Sequence, residues 1–193
     1  METVEMKQQL ISHFSHRHPL QLLEVEDEDE VVICSGCEVE ISGSAYICTK
    51  PSCDFILHDS CVDLPKLVKH KSHPKHTLTL HIFPPYSDGE FSCDACGNSG
   101  QAFTYHCTSC KYDLHVECAS LPEVEYCEDR EYPLVLSYLF RSQNEAEQEA
   151  KVKGKAVADD FVCDVCHRPE AKGSCWAYCC SACNFGAHLD CVK

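Results

Sequence analysis

Cysteine and histidine recur in this chain at spacings suited to holding a metal ion. The 193 residues include 18 Cys and 12 His. Three segments, 34–65, 93–122 and 163–192, each contain C-x-x-C, then a Tyr two residues before a second Cys pair, then four residues followed by H-x-x-C. Structural zinc takes four Cys or His ligands in a tetrahedron, and one C-x-x-C turn supplies half of that set. The repeated order therefore predicts zinc-binding modules.

Spacing alone leaves open which pairs share an ion. A sequential scheme would place Cys34, Cys37, Cys48 and Cys53 on one zinc. An interleaved scheme would join Cys34 and Cys37 to His58 and Cys61, leaving the second Cys pair for outer ligands. Alignment of the chain on itself favours interleaving, because an upstream His and a downstream His or Cys bracket the first two repeats.

The repeat predicts an N-terminal segment, 1–12, and three modules at about 13–70, 71–127 and 128–193. Each module has too little apolar core to fold alone, so metal binding should supply much of its folding free energy. Residues 141–160 contain almost no large apolar side chains, which predicts a mobile loop within the third module.

The charge balance and the N-terminal sequence narrow the function classes. The chain has 16 Lys and Arg against 31 Asp and Glu, a net charge of −15. Phosphate backbones and anionic membrane surfaces repel such a chain, so nucleic-acid and membrane partners are not expected. Residues 1–20 lack the apolar run of a secretory signal. We therefore expect a cytoplasmic or nuclear protein, where reducing conditions favour metal-bound thiolates over disulfides.

Five short motifs, HRHPL, SGSAYIC, CDFILH, CASLP and HPKHTLTL, resemble the zinc domain of protein kinase C that binds diacylglycerol and phorbol esters. The chain is more similar still to plant Cys/His-rich proteins that carry divergent domains of this type in tandem. The resemblance implies small zinc-stabilised α+β modules. Each would have two short antiparallel β-sheets and a short helix around two interleaved zinc sites.

The resemblance also implies ligands for about five zinc ions. Three sites use the first Cys pair with H-x-x-C: Cys34, Cys37, His58 and Cys61; Cys93, Cys96, His115 and Cys118; and Cys163, Cys166, His188 and Cys191. Two sites use the second Cys pair with outer ligands: His18, Cys48, Cys53 and His70; and His76, Cys107, Cys110 and Cys127. His16 and His73 are the alternatives to His18 and His76. His13 aligns with His70 and is expected to be a surface relic.

A sixth site in the third module is incomplete. Cys180 and Cys183 lack an upstream His, because Tyr132 stands at that position, and no downstream ligand follows Cys191. We expect this half-site to hold no zinc. In the alternative, Cys175 and Cys179 complete it.

Three functions from different classes fit these features. The first is a non-catalytic scaffold that mediates protein–protein interaction in plant intracellular signalling or stress response. The second is binding of diacylglycerol; however, the loops 38–47 and 97–106 are shorter than the family's lipid-binding loop and lack its apolar tip. The third is a thiol-disulfide oxidoreductase, which requires a C-x-x-C at a helix N-terminus in a thioredoxin-like frame. We favour the scaffold and expect no enzymatic activity.

Overall fold

The computed structural model describes residues 10–25, 31–127, 131–138, 161–169 and 176–192. The predicted loop at 141–160 lies outside these residues, as do residues 1–9. Within the described part of the chain, the same four-stranded antiparallel sheet occurs three times.

The strands of the three sheets follow one order along the chain. The first sheet contains β1 (Leu10–Ile11), β2 (Leu20–Val25), β3 (Gly43–Cys48) and β4 (Ile56–His58). In the second module come β5 (Leu67–Val68), β6 (Leu78–His81), the separate pair β7 (Phe91–Ser92) and β8 (Ser99–Gly100), then β9 (Thr104–Cys107) and β10 (Tyr112–His115). The third sheet contains β11 (Val124–Glu125), β12 (Leu134–Ser137), β13 (Ala177–Cys180) and β14 (Phe185–His188).

A short second ladder and a helical turn complete each module. Strands β7 and β8 pair in the second module, and single bridges, Ile33 to Glu40 and Val162 to Pro169, stand in the same place in the other two. The helical turns are α1 (Asp59–Val62) and the 3₁₀ turns Cys118–Ser120 and Leu189–Cys191. The predicted fold of small β-rich modules with short helices is confirmed. No described helix is long and apolar enough to cross a membrane.

The first strand of each sheet lies upstream of the boundary expected from the repeat. Strand β5 pairs with β6, so Leu67–Val68 belongs to the second sheet. Strand β11 pairs with β12 in the same way and belongs to the third. Consequently the residues that follow these two strands, including His70 and Cys127, are held by the sheet of the next module.

Each module buries a small core against its sheet, and in the second module β9 is buried on both faces. Leu78 and Leu80 alternate with exposed Thr79 along β6, as expected for a half-buried strand. Tyr105 and Tyr178 are buried, and their hydroxyls donate to the carbonyl oxygens of Pro65 and Pro122 at 2.8 and 2.7 Å. These tyrosines tie each sheet to the segment that enters it from the preceding module.

The first two modules are also joined at a C-x-x-C turn. The main-chain N–H of Phe103 donates to the carbonyl oxygen of Gly36 at 2.9 Å. A Cβ at Gly36 would lie 3.1 Å from the Phe103 ring and 3.0 Å from Leu57, so the glycine allows close approach. The Glu38 carboxylate accepts from the main-chain N–H of Gln101 at 2.9 Å. We call this arrangement a docking contact, with Phe103 as donor and Gly36 as acceptor.

A second docking contact joins the second and third modules at the equivalent positions. The main-chain N–H of Trp176 donates to the carbonyl oxygen of Ala95 at 2.6 Å. The Trp176 side chain is 3% exposed and stacks on His70 with ring centroids 5.1 Å apart. Tyr138 packs edge-on against the same indole. Each docking contact therefore places an aromatic residue of one module on the turn of the module before it.

Candidate metal centre

The first Cys pair and the H-x-x-C pair meet at the same place in all three modules. The C-x-x-C turn follows the first strand of the short ladder, and the His ends the last strand of the main sheet. Three clusters result: Cys34, Cys37, His58 and Cys61; Cys93, Cys96, His115 and Cys118; and Cys163, Cys166, His188 and Cys191. In every cluster the candidate ligand atoms lie within 4.8 Å of one another. The structure thus has the interleaved arrangement.

Sulfur-to-nitrogen distances are nearly the same in these three clusters. The His Nδ1 lies 3.2, 3.4 and 3.4 Å from the second Cys Sγ in modules one, two and three. It lies 3.9 Å from the last Cys Sγ in each module. The other ring nitrogen faces a carbonyl oxygen, 3.1 Å from Glu40 for His58 and 3.3 Å from Ser99 for His115. Such a partner fixes the tautomer and presents Nδ1 to the cluster.

The second Cys pair forms two further clusters, each with two histidines from the segment before the second strand. These are His16, His18, Cys48 and Cys53, and His73, His76, Cys107 and Cys110. His16 Nε2 lies 3.2 Å from Cys48 Sγ and 3.4 Å from Cys53 Sγ. His76 Nδ1 lies 3.1 Å from Cys110 Sγ and 3.3 Å from His73 Nε2.

These two clusters differ from the expected sets at one position each. His16 and His73 join His18 and His76 instead of competing with them, and the structure does not bring His70 or Cys127 to either cluster. The reason is the sheet pairing, because β5 and β11 carry His70 and Cys127 into the following module. All the other expected ligands lie in the clusters to which they were assigned.

His13 and His70 instead form a repeated structural contact. The Nδ1 of each ring lies within hydrogen-bond distance of a serine hydroxyl, 2.6 Å from Ser15 and 2.7 Å from Ser72. His13 is buried, and its Nε2 lies 3.2 Å from the carbonyl oxygen of Val62. It is therefore not a surface relic. The H-x-S-H order at 13–16 and 70–73 is the sequence signal that separates this structural His from the ligand His after it.

Aromatic rings support the newly placed histidines. His16 stacks on Phe55 with centroids 4.2 Å apart, and His73 stacks on Tyr112 with centroids 4.7 Å apart. Each aromatic residue lies two positions after the second Cys of its pair. In both modules the stacked aromatic ring holds the histidine ring in place beside the sulfurs.

Without a cation, the sulfurs of one cluster compete for a single negative charge. Hydrogen bonds from Cys37 and Cys61 lower the pKa of Cys34 far below its usual value, and the contact with Cys34 raises the pKa of Cys61 to about 12. In module two, burial disfavours protonated His115, but hydrogen bonds to Cys93 and Cys96 outweigh burial and raise its pKa to about 10. Like charges this close cannot all ionise unless a cation compensates them.

Zinc fits the donor sets and the distances. With Zn–S near 2.3 Å and Zn–N near 2.0–2.1 Å, tetrahedral edges are about 3.3 Å for N–N, 3.6 Å for N–S and 3.8 Å for S–S. The observed N–N distance of 3.3 Å and N–S distances of 3.1–3.9 Å match these values. Cys34 Sγ also accepts main-chain N–H groups from Gly36 and His58 at 3.3 and 3.4 Å, which favours the thiolate. The five clusters correspond to about five zinc ions per chain.

The third module has no second cluster among the residues that the structure describes. Cys180 is buried and Cys183 is exposed, and no group of three or more candidate ligands includes them. Tyr132, at the expected His position, is largely exposed. Cys179 faces Val135 across the sheet, while Cys180 points to the opposite face. Cys175 lies outside the described residues.

Comparison with known proteins gives a consistent result. Part of the chain is 42% identical over 57 residues to probable nucleoredoxin 1 from Arabidopsis thaliana, a match that covers 30% of this chain and 9% of that protein. No solved structure matches the chain. The family model described as C1 domain matches residues 14–62, 71–119 and 150–192, which together make up most of the sequence. With its three repeats and five Cys/His clusters, the chain belongs to the C1 domain family.

Proposed function

We propose that this protein is a non-catalytic scaffold in which zinc-ordered C1 domains bind protein partners in plant intracellular signalling or stress response. A cytoplasmic or nuclear location fits this role. Each of the five clusters supplies four ligands, whereas a catalytic zinc keeps one position for water or substrate. The clusters therefore favour a structural role for the metal.

The docking contacts favour a scaffold over a lipid receptor. In the diacylglycerol-binding domain that the chain resembles, the loop between the two Cys pairs lines the lipid groove. In this chain the end of that loop carries Phe103 in module two and Trp176 in module three, and both residues are buried against the preceding module. Residues held in this way are not available to enter a bilayer. The net charge of −15 also opposes approach to an anionic membrane.

A thiol-disulfide oxidoreductase is the less favoured alternative. The name of the Arabidopsis relative indicates a redox protein, but the match spans 9% of that protein. Here the first C-x-x-C pair of each module lies in a turn beside a short β-ladder, and its sulfurs belong to a four-ligand cluster. The pair Cys180 and Cys183 belongs to none of the five clusters, but it lies in the turn between two strands, β13 and β14, rather than at a helix N-terminus. Thioredoxin-like reactivity depends instead on a helix N-terminus beside the thiol.

Affinity capture from plant extract with the zinc-loaded full chain tests the proposal. The bait should enrich a reproducible set of proteins, and Cys93→Ser/Cys118→Ser, which removes two ligands of one cluster, should lose part of that set. Cys179→Ser is the matched control, because this residue lies outside the five clusters. In parallel, diacylglycerol liposomes should sediment no more protein than control liposomes. Saturable sedimentation with diacylglycerol, together with no enriched protein, would replace the scaffold with the lipid receptor.

A further inference from the structure

The two docking contacts inside the molecule use one acceptor design, and a third copy of that acceptor lies in the last module. Gly36, Ala95 and Val165 each occupy the third position of a C-x-x-C turn. Gly36 and Ala95 are buried beneath the following module. Val165 is 48% exposed.

The turn at Val165 has the same main-chain geometry as the two occupied acceptors. His167 N donates to the Cys163 carbonyl at 2.9 Å, as Gly97 N does to Cys93 at 2.8 Å. Val165 N donates to Cys163 Sγ at 3.4 Å. Further hydrogen bonds link each turn to the last strand of its sheet, for example Asp164 N to the Gly186 carbonyl at 2.8 Å and Asp94 N to the Asp113 carbonyl at 2.8 Å. Because the same bonds fix all three turns, the Val165 carbonyl has the same direction relative to its turn as the Gly36 and Ala95 carbonyls. In those two turns that direction is toward the following module.

The donor position of module one differs from those of the other two modules. Ser44 stands where Phe103 and Trp176 stand in their modules. There the sheet continues, since Glu24 and Val25 of β2 pair with Ser44 and Gly43 of β3. The Ser44 hydroxyl donates to the Glu24 carboxylate at 2.6 Å. Module one thus has a serine, bonded through its side chain to its own sheet, where the other two modules have the aromatic residue that docks.

Val165 differs in exposure from the two residues equivalent to it. Gly36 and Ala95 are buried, whereas Val165 is about half exposed. Because the two equivalent turns each bind a neighbouring module, an exposed apolar side chain at this position indicates an interaction surface.

We propose that the C-x-x-C turn of the third module, with Val165, is a docking surface for a C1-type module of another protein. That partner would present an aromatic side chain and its main-chain N–H in the positions that Phe103 and Trp176 hold here. A second copy of this chain cannot serve, because both its aromatic donors are buried and module one has a serine, with no aromatic ring, at the donor position. The inference narrows the proposed scaffold role to one surface and one class of partner.

The size of the Val165 side chain should determine how strongly the partner module docks. The Cβ position of Gly36 points at the Phe103 ring from 3.1 Å, so residues at the acceptor position lie directly beneath the donor. Ala95 shows that a methyl group is accepted there. An isopropyl group offers more apolar contact but holds the ring farther from the carbonyl oxygen. Val165→Ala should therefore strengthen docking, and Val165→Asp should abolish it by burying an unpaired charge.

The chain contains the probe needed to test this surface. In the full-length Ala95→Arg variant, the larger side chain should expel Trp176, which is the one tryptophan of the sequence. That variant then has a free donor and an open acceptor. Between about 1 µM and about 1 mM, the range of weak contacts, its sedimentation coefficient should rise while tryptophan emission shifts back to the blue. The wild type should remain monomeric.

Two double variants locate the contact. Ala95→Arg/Val165→Asp should stay monomeric with red-shifted emission. Ala95→Arg/Val135→Asp is the matched control, since Val135 is 49% exposed on the same module, and it should associate like Ala95→Arg. Native mass spectrometry should find unchanged zinc in all variants, which shows that the modules remain folded.

Three results would overturn the inference. One is a monomeric Ala95→Arg, and another is equal loss of association in the two double variants. The third is blue-shifted emission at every dilution, because the acceptor would then tolerate arginine and need no small residue. Each of these would leave the scaffold role intact, since its own test is the capture of proteins by the zinc-loaded wild type.

Discussion

Phe103 donates its main-chain N–H to the carbonyl oxygen of Gly36 at 2.9 Å, and Gly36 lies between two cysteines of a zinc cluster. A single turn thus presents sulfurs to the metal on one side and a carbonyl to the next module on the other. Ala95 and Trp176 repeat this relationship. A change that distorts this turn should therefore disturb both the zinc site and the contact between the two modules.

Phe103→Ala should loosen the contact between the first two modules. Removing a buried Phe costs about 3–5 kcal/mol in a packed core, so the amides at 101–103 should exchange at least about 100-fold faster. Phe83→Ala is the matched control, because that ring is 71% exposed and its loss should change little. Hydrogen exchange followed by NMR measures both variants. Similar exchange rates in the two would show that the ring does not hold the modules together.

His73→Ala and His70→Ala should separate the metal ligand from the structural histidine three residues away. The first should lower the zinc count by one, because it removes a ligand of the cluster with Cys107 and Cys110. The second should keep about five zinc ions but shift the emission of Trp176, on which His70 stacks. Native mass spectrometry and fluorescence provide the two measurements. Zinc loss in His70→Ala alone would restore the ligand set implied by the family resemblance.

Cys107→Ser and Cys180→Ser test the missing site at equivalent positions in two modules. Cys107 belongs to a complete cluster, so its replacement should cost one zinc per chain. Cys180→Ser and Cys175→Ser should leave the count at about five. If both of the latter variants lose one zinc, then the additional cysteines of the third module complete a sixth site.

Removal of zinc should unfold the modules. Their cores are small and include the cluster cysteines themselves, so metal binding and folding are linked. A chelator added to the reduced protein should abolish native chemical-shift dispersion, and stoichiometric zinc should restore it. A cooperative thermal transition in the apo protein near that of the holo protein would contradict a structural role for the metal.

The repeat marked most of the cluster residues, because metal ligands tolerate little change in spacing, and the family resemblance implied the fold and the interleaved sets. His70 and Cys127 did not follow, since alignment shows that two residues are equivalent but not which module's sheet holds them. The pairing of β5 with β6 decides that question, and it depends on contacts between segments that are distant in sequence. The docking contacts were missed for a related reason. They use main-chain atoms, so their only mark in the sequence is the aromatic residue two positions before the repeat tyrosine in modules two and three.

The direction of docking has a consequence for synthesis of the chain. Gly36 is covered by Phe103, which leaves the ribosome roughly 70 residues after the turn it packs on, or several seconds later at about 5–20 residues per second. Ala95 likewise stays uncovered until Trp176 has been synthesised. The first and second modules therefore each present an uncovered turn beside their zinc ligands until the next module emerges. Translation speed and zinc supply together set how long the nascent chain is open to aggregation or to wrong pairing.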